Sequence, residues 1–254
     1  ITTVNLSDLF AMGAKPYSYV LNLSLPSYIN SKWLDLFSNH LNKIQNKHNF
    51  YLLGGDLSSS KKLIISSTFF GYLGKKIVIH QNKINFNDEI LVTGNIGESK
   101  IGLEVIKKNL SLDSNLKKYF INKYLYPKPC NFGPIIAKYT SSMKDISDGL
   151  IGDLKKMLNS NFGALINLRN IPISLYAKKL INNKKNFKID YLLNAGDDYG
   201  LIIICNKENS KKIVNKAIQN RIKISRIGKI IRKKGIYFDS SVNINYHREF
   251  DHFS

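Results

Sequence analysis

Short strand-like runs that stop at a glycine recur along these 254 residues, each close to a stretch of helical periodicity. FYLLGGD at 50–56 runs apolar residues into paired glycines, and EILVTG at 89–94 does the same just ahead of the helical pattern ESKIGLEVIKK at 98–108. LIIIC at 201–205 follows GDDYG and has the length of a buried strand, far short of the roughly 20 apolar residues that cross a bilayer. Such mixing makes the chain α+β or α/β, long enough for one large domain or two modest ones with a real core.

The remaining pattern fills this in. Leu6, Leu9, Phe10 and Ala14 have near-helical spacing and predict a short buried helix carrying Asp8. YVLNLSLP alternates as a half-buried strand stopped by Pro26, and residues 28–47 read as an amphipathic helix with Trp33, Phe37 and Leu41 on one side. KLIISSTFFGYL at 62–73 reads as another strand. YPKPCNFGP at 126–134 puts three prolines and a glycine in nine residues, which predicts a boundary near residue 125 between domains 1–125 and 126–254. Beyond it the pattern predicts a helix over 131–142, a turn at DISDGL and a helix to 158. A strand at 164–168, a helix near 174–184, a strand at 189–193, a helix at 208–219 and strands at 224–231 and 235–238 follow.

Several functions find no residues to carry them. Cys130 and Cys205 form no CxxC, no two histidines have HExxH spacing, and neither a P-loop nor GxGxxG is present. The amino terminus has no signal-peptide pattern, so a cytoplasmic location is expected. Lys and Arg number 38 against 18 acids, a formal net charge of +20 that invites a nucleic-acid reading. The basic residues are scattered, as in Lys61-Lys62, Lys107-Lys108 and Lys233-Lys234, which favours a solvated lysine surface over a dedicated nucleic-acid face.

Against so few acids, four places that set an aspartate beside a structural transition stand out. They are NLSD ending at Asp8, GGD ending at Asp56, DISDGL with Asp145 and Asp148, and GDDYG with Asp197 and Asp198. Glycine permits close backbone approach there, and hard carboxylate oxygens suit magnesium beside substrate phosphates. If residues 145–148 are helical, Asp145 and Asp148 share one face, and Ser147 can cap the next helix or meet a phosphate. Each acid alone reads more readily as a helix cap; four together favour a metal–phosphate site.

In order and spacing, VNLSDLFAMGAKP, LSLP, LLGGDLSSS, LVTGNIGESKIGL, YPKPCNFGP, DISDGLIGDL, GDDYG and EFDHF resemble the thiamine-monophosphate kinase family. The resemblance spans nearly the whole chain and implies two mixed α/β domains of the aminoimidazole-ribonucleotide-synthetase-like fold. It also implies transfer of the ATP γ-phosphoryl group to thiamine monophosphate, with several Mg²⁺ ions and a homodimer when the protein is complete. Carried over residue by residue, Asp8, Asp56, Asp145 and Asp148 are the expected metal ligands. Gly55, Asp56 and Ser147 are the expected ATP contacts, and Asp197 and Phe250 face the substrate.

The chain departs from the family at named points. Asp197 stands where a glutamate is usual, Gln81 or His80 where an ATP-contacting arginine is, and Cys130 at a further arginine position. The family also begins with a GDDAA metal motif absent from this sequence, so an N-terminally truncated first domain is expected. Other functions consistent with the residues are another ATP-using member of the same fold, an inactive truncated relative, or a basic nucleic-acid-binding protein. No membrane partner and no specific nucleic acid are expected.

Overall fold

The computed structural model describes residues 1–74, 79, 83–183 and 188–239. Two sheets organise them. The smaller has the order β2-β1-β3, built from β1 (Lys15–Leu25), β2 (Tyr51–Ser59) and β3 (Ile64–Tyr72), with β1 parallel to β2 and antiparallel to β3. One face is covered by α1 (Thr2–Ala11) and α2 (Ser31–His48): Leu6 and Phe10 pack with Tyr19, Leu21 and Phe50, and Phe37, Leu41 and Ile44 close over them. Asn30 starts α2 by accepting the Trp33 N–H at 3.0 Å, and Asn49 ends it in the left-handed region at φ 53°.

The larger sheet has the order β5-β7-β4-β8-β6-β9. Its strands are β4 (Glu89–Thr93), β5 (Ser142–Asp145), β6 (Gly163–Ile166), β7 (Leu201–Cys205), β8 (Ile224–Ile231) and β9 (Gly235–Phe238). All neighbours are antiparallel except β6 with β9. The helices are α3 (Glu98–Ile106), α4 (Ser114–Leu125), α5 (Gly133–Ile136), α6 (Leu150–Met157), α7 (Leu175–Asn183), α8 (Ile189–Leu193) and α9 (Lys207–Gln219).

The LIIIC run is uniformly apolar because β7 is buried on both faces. Ile202 and Ile204 join one core with residues of α3, α6, α7 and α8, while Leu201, Ile203 and Cys205 join the other with α5 and α9. All five residues of this strand are 0% exposed, which at roughly 25 cal/mol per Å² makes it a leading contributor to hydrophobic stabilisation.

The two sheets divide between Tyr72 and Glu89, because β4 pairs with β7 and β8 and lies inside the larger sheet. Two expectations about single elements are corrected. Residues 189–193 form α8 in place of a strand, and the adjacent Leu192 and Leu193 both enter one core, which the alternating faces of a strand would not allow. The helix expected over 131–142 shrinks to α5 and a 3₁₀ turn at Ala137–Tyr139, and the chain is already in β5 at Ser142. Within the described residues no helix is long and apolar enough to cross a membrane, and Cys130 and Cys205 are free thiols.

Candidate active site

Antiparallel pairing gathers distant motifs at one end of the larger sheet. β5 ends at Asp145 opposite Leu201, where β7 begins, and β4 ends at Thr93 opposite Ile224, where β8 begins. The turns at 145–149, 94–97, 196–200 and 221–223 therefore share that end. An antiparallel neighbour always brings a strand's finish beside its partner's start.

Asp145 is 2% exposed, and its Oδ2 accepts a 2.9 Å hydrogen bond from the Ser7 hydroxyl on α1. That contact brings the next residue, Asp8, into the field of Asp145. Burial first, then the Asp145 charge, hold the Asp8 carboxyl above its ordinary value, with Lys144 acting in the opposite direction. Tyr199 completes the group: its hydroxyl donates to Asp197 Oδ1 at 2.8 Å. Burial and the charges of Asp197, Asp145 and Asp8 push that phenol upward. The structure thus brings Asp8, Asp145 and Asp197 into one electrostatic neighbourhood, with Asp145 and Asp8 positioned from separate elements.

DISDGL forms a turn ahead of a helix, as its pattern predicts, and the condition for a shared helical face is not met. Asp145 closes a strand, and Asp148 lies in the turn ahead of α6, so the two do not share a helix face. Neither acid nor Ser147 caps α6, whose N-cap is Gly149, at φ 112°. The cap-like role falls to Asp153, which is 0% exposed: its Oδ2 accepts the backbone N–H of Ser147 at 2.9 Å and of Asp148 at 2.8 Å. Its Oδ1 faces Lys144 at 3.2 Å and Lys156 at 3.7 Å. Burial raises the Asp153 carboxyl, and the Asp148 N–H and Lys144 only partly offset it. The Asp148 side chain itself pairs with Lys156. In sequence, Asp153 was distinguishable only as a third acid five residues past Asp148.

Asp198 ties this turn to the glycine loop after β4. Its carboxylate accepts the Gly97 N–H at 2.6 Å and approaches the Ser99 N–H at 3.5 Å, while the Ser99 hydroxyl donates to the Asp197 carbonyl at 2.7 Å. Burial pushes the Asp198 carboxyl up to about 7, against those backbone donors and with Glu98 and Asp197 adding to the rise. A cavity of about 660 Å³ opens alongside, bounded by Thr93, Glu98, Tyr119, Lys123, Asp198 and Tyr199.

Two expected residues lie elsewhere. Gly55 and Asp56 are on exposed β2, where a Cβ on Gly55 would come within 1.7 Å of the Leu21 carbonyl oxygen and the Asp56 N–H donates to Asn22 Oδ1 at 3.0 Å. Phe250, His80 and Gln81 lie outside the described residues. Among the described residues, no three or more His, Cys, Asp or Glu side chains converge to hold a metal ion.

A family model described as AIR synthase related protein, N-terminal domain, matches residues 1–73. The thiamine-monophosphate kinase of Buchnera aphidicola subsp. Acyrthosiphon pisum (strain APS) is 42% identical over 215 residues, 83% of this chain and 65% of that protein. The thiamine-monophosphate kinase of Buchnera aphidicola subsp. Schizaphis graminum (strain Sg) is 43% identical over 228 residues, 86% of this chain and 67% of that protein. The chain thus spans about two thirds of the length of these relatives. The solved structure of AaThiL complexed with AMPPCP and TMP superposes with a TM-score of 0.85 at 24% identity, over 99% of this chain and 78% of that one, a likeness of fold. With a 43% identical relative covered over two thirds of its length, and with the fold shared, the chain belongs to the thiamine-monophosphate kinase family.

Proposed function

We propose that this chain catalyses ATP-dependent phosphorylation of thiamine monophosphate to thiamine diphosphate. The observation that carries the reading is the Asp8–Asp145 pair, fixed by Ser7 at the sheet end of a chain whose relatives are thiamine-monophosphate kinases. The name of the superposed structure, a complex with AMPPCP and TMP, supports the same two substrates.

The donor set fits Mg²⁺ in part. Two carboxylates whose mutual repulsion already raises the Asp8 pKa are the hard-oxygen, excess-negative pair that a divalent cation relieves. Asp8 and Asp145 would hold such an ion, with Asp148, once released from Lys156, as a further ligand we propose; Asp56, on exposed β2, is proposed as a ligand of a separate ion. When bound, Mg²⁺ neutralises phosphate charge as the two polyanions approach.

The protein's own part is positioning. Ser7 orients the Asp145 carboxylate, Asp153 holds the backbone on which Ser147 and Asp148 stand, and Tyr199 fixes Asp197 for the acceptor. Ser147 and Gly55 are proposed ATP contacts, and Phe250 a substrate contact. A homodimer is supported by β2, exposed along its whole length with Leu52, Leu53 and Leu57 uncovered, a sheet edge that invites pairing. We place the protein in the cytoplasm.

The test is chromatographic. ATP, Mg²⁺ and thiamine monophosphate are incubated with the protein, and thiamine diphosphate is measured. Metal-dependent product is expected, with turnover falling at least 100-fold in Asp145→Asn while its circular dichroism is retained. Wild-type turnover in Asp145→Asn would remove the role given to that carboxylate.

A further inference from the structure

Asp198 lies between the proposed acceptor-side carboxylate, Asp197, and the cavity beside it, yet its own carboxylate is turned to backbone rather than into open space. Its neighbours on both sides are left-handed non-glycine residues, Asp197 at φ 65° and Tyr199 at φ 50°. Such conformations persist only where surrounding bonds over-determine them. Here the Asp197 N–H donates to the Ser147 carbonyl at 3.0 Å, the Tyr199 N–H to the Ile146 carbonyl at 2.9 Å, and the Tyr199 carbonyl accepts the Cys130 N–H at 3.2 Å. The Gly97 backbone that Asp198 binds is equally confined. It has φ 81°, and a Cβ there would stand 2.5 Å from the Leu192 Cβ.

We propose that Asp198 is a positioning residue for the acceptor: by binding the Gly97 and Ser99 amides it locks the glycine loop to the 197–199 turn, fixing at once the cavity wall and the direction of Asp197. The part of the cavity lining made by Glu98, Ser99, Asp198 and Tyr199 hangs on this connection. The Ser99 hydroxyl on the Asp197 carbonyl reinforces it. Asp198 acts through Gly97, Ser99 and Asp197 and touches no phosphate. The Asp145–Ser147 turn on the ATP side, besides its backbone bonds to Asp197 and Tyr199, has anchors of its own in Ser7 and Asp153. This inference rests on the phosphotransfer reading above.

The experiment compares Asp198→Ala, Asp198→Asn and Ser99→Ala by steady-state kinetics and by amide hydrogen exchange over residues 94–99. An asparagine oxygen accepts the same backbone N–H groups, so Asp198→Asn is expected to keep kcat/KM for thiamine monophosphate within about three-fold of wild type. Asp198→Ala is expected to raise the KM for thiamine monophosphate roughly ten-fold or more and to leave the KM for ATP within about two-fold, since a misplaced positioning shell can reduce rate by ~100-fold. Ser99→Ala, which keeps the carboxylate and loses the hydroxyl's contacts with the Asp197 and Lys123 carbonyls, should show the same selectivity at smaller size even if Asp198→Ala folds poorly. Equal impairment of Asp198→Asn and Asp198→Ala, with the 94–99 amides still protected, would overturn the proposal in favour of direct carboxylate chemistry. Equal rises in both KM values would overturn it as well. A wild-type protein that makes no thiamine diphosphate would sink the phosphotransfer reading instead, and exchange then decides the clamp. Faster exchange at Gly97 and Ser99 in the alanine variant alone supports it; unchanged exchange there refutes it.

Discussion

Glu104 shows how completely a partner set can reverse the effect of burial on one residue. It is 7% exposed, and burial alone would raise its carboxyl. Lys100 Nζ at 2.9 Å, the Asn109 side-chain amide at 2.8 Å and Tyr191 outweigh that and hold it down at about 2. A carboxyl whose folded value lies below its unfolded value of 4.5 contributes stability that is fully present above about 4.5 and lost as pH falls towards 2. Glu104→Gln should therefore lower unfolding free energy at pH 7, on the order of 3 kcal/mol at most. Urea titrations at pH 7, 5 and 3 should find that gap intact at 5 and shrinking at 3; a gap constant from 7 to 3 would contradict the assignment. At the same scale, Asp8 was singled out in the sequence with no sign of its partners. Ser7 was not, although its hydroxyl is what aligns the pair.

At the scale of elements, the site depends on α1 staying against β5 and α5. Gly133 makes this possible: a Cβ there would fall 1.7 Å from the Phe10 carbonyl oxygen and 3.0 Å from the Met143 methyl. Gly133→Ala must push α1 off α5, and with it Ser7 and Asp8 away from Asp145. We expect a loss of about 1–3 kcal/mol in thermal unfolding, as for other overpacking changes. A larger fractional loss of turnover than Ile218→Ser shows, a substitution on the exposed face of α9, is expected with it. Element identity was legible where the pattern was long or glycine-bounded, as in α2, α3, β4, β7 and α9. It failed at IDYLL, because five mostly apolar residues fit a short helix as well as a strand and only the packing of Leu192 and Leu193 into one core decides. At Asp145 and Asp148 the pattern gave a turn and left a shared helical face as a condition, which the structure does not meet because Asp145 belongs to a strand.

The whole molecule is held by the larger sheet between two apolar layers, and β7 belongs to both. Ile203→Ala, in the layer with Phe132, Ile136 and Ile213, should cost about 2–5 kcal/mol by urea denaturation, whereas Ile218→Ser, 70% exposed, should stay within about 0.5. An equal effect of the two would mean that β7 is not the structural centre. The net charge of +20 has no comparable role in the fold, since lysines such as Lys144 and Lys156 that face the site are engaged with Asp153 and Asp148. By itself the sequence determined the mixed α/β class, the glycine-bounded strands and the identity of the acids, because these follow from local periodicity and residue chemistry within a few neighbours. Only the tertiary structure decided which acids meet. Ser7 and Asp145 are 138 residues apart, and Asp198 and Gly97 are 101 apart. The first contact exists because α1 packs on β5 and the second because antiparallel pairing brings strand ends together, long-range outcomes that no local pattern encodes.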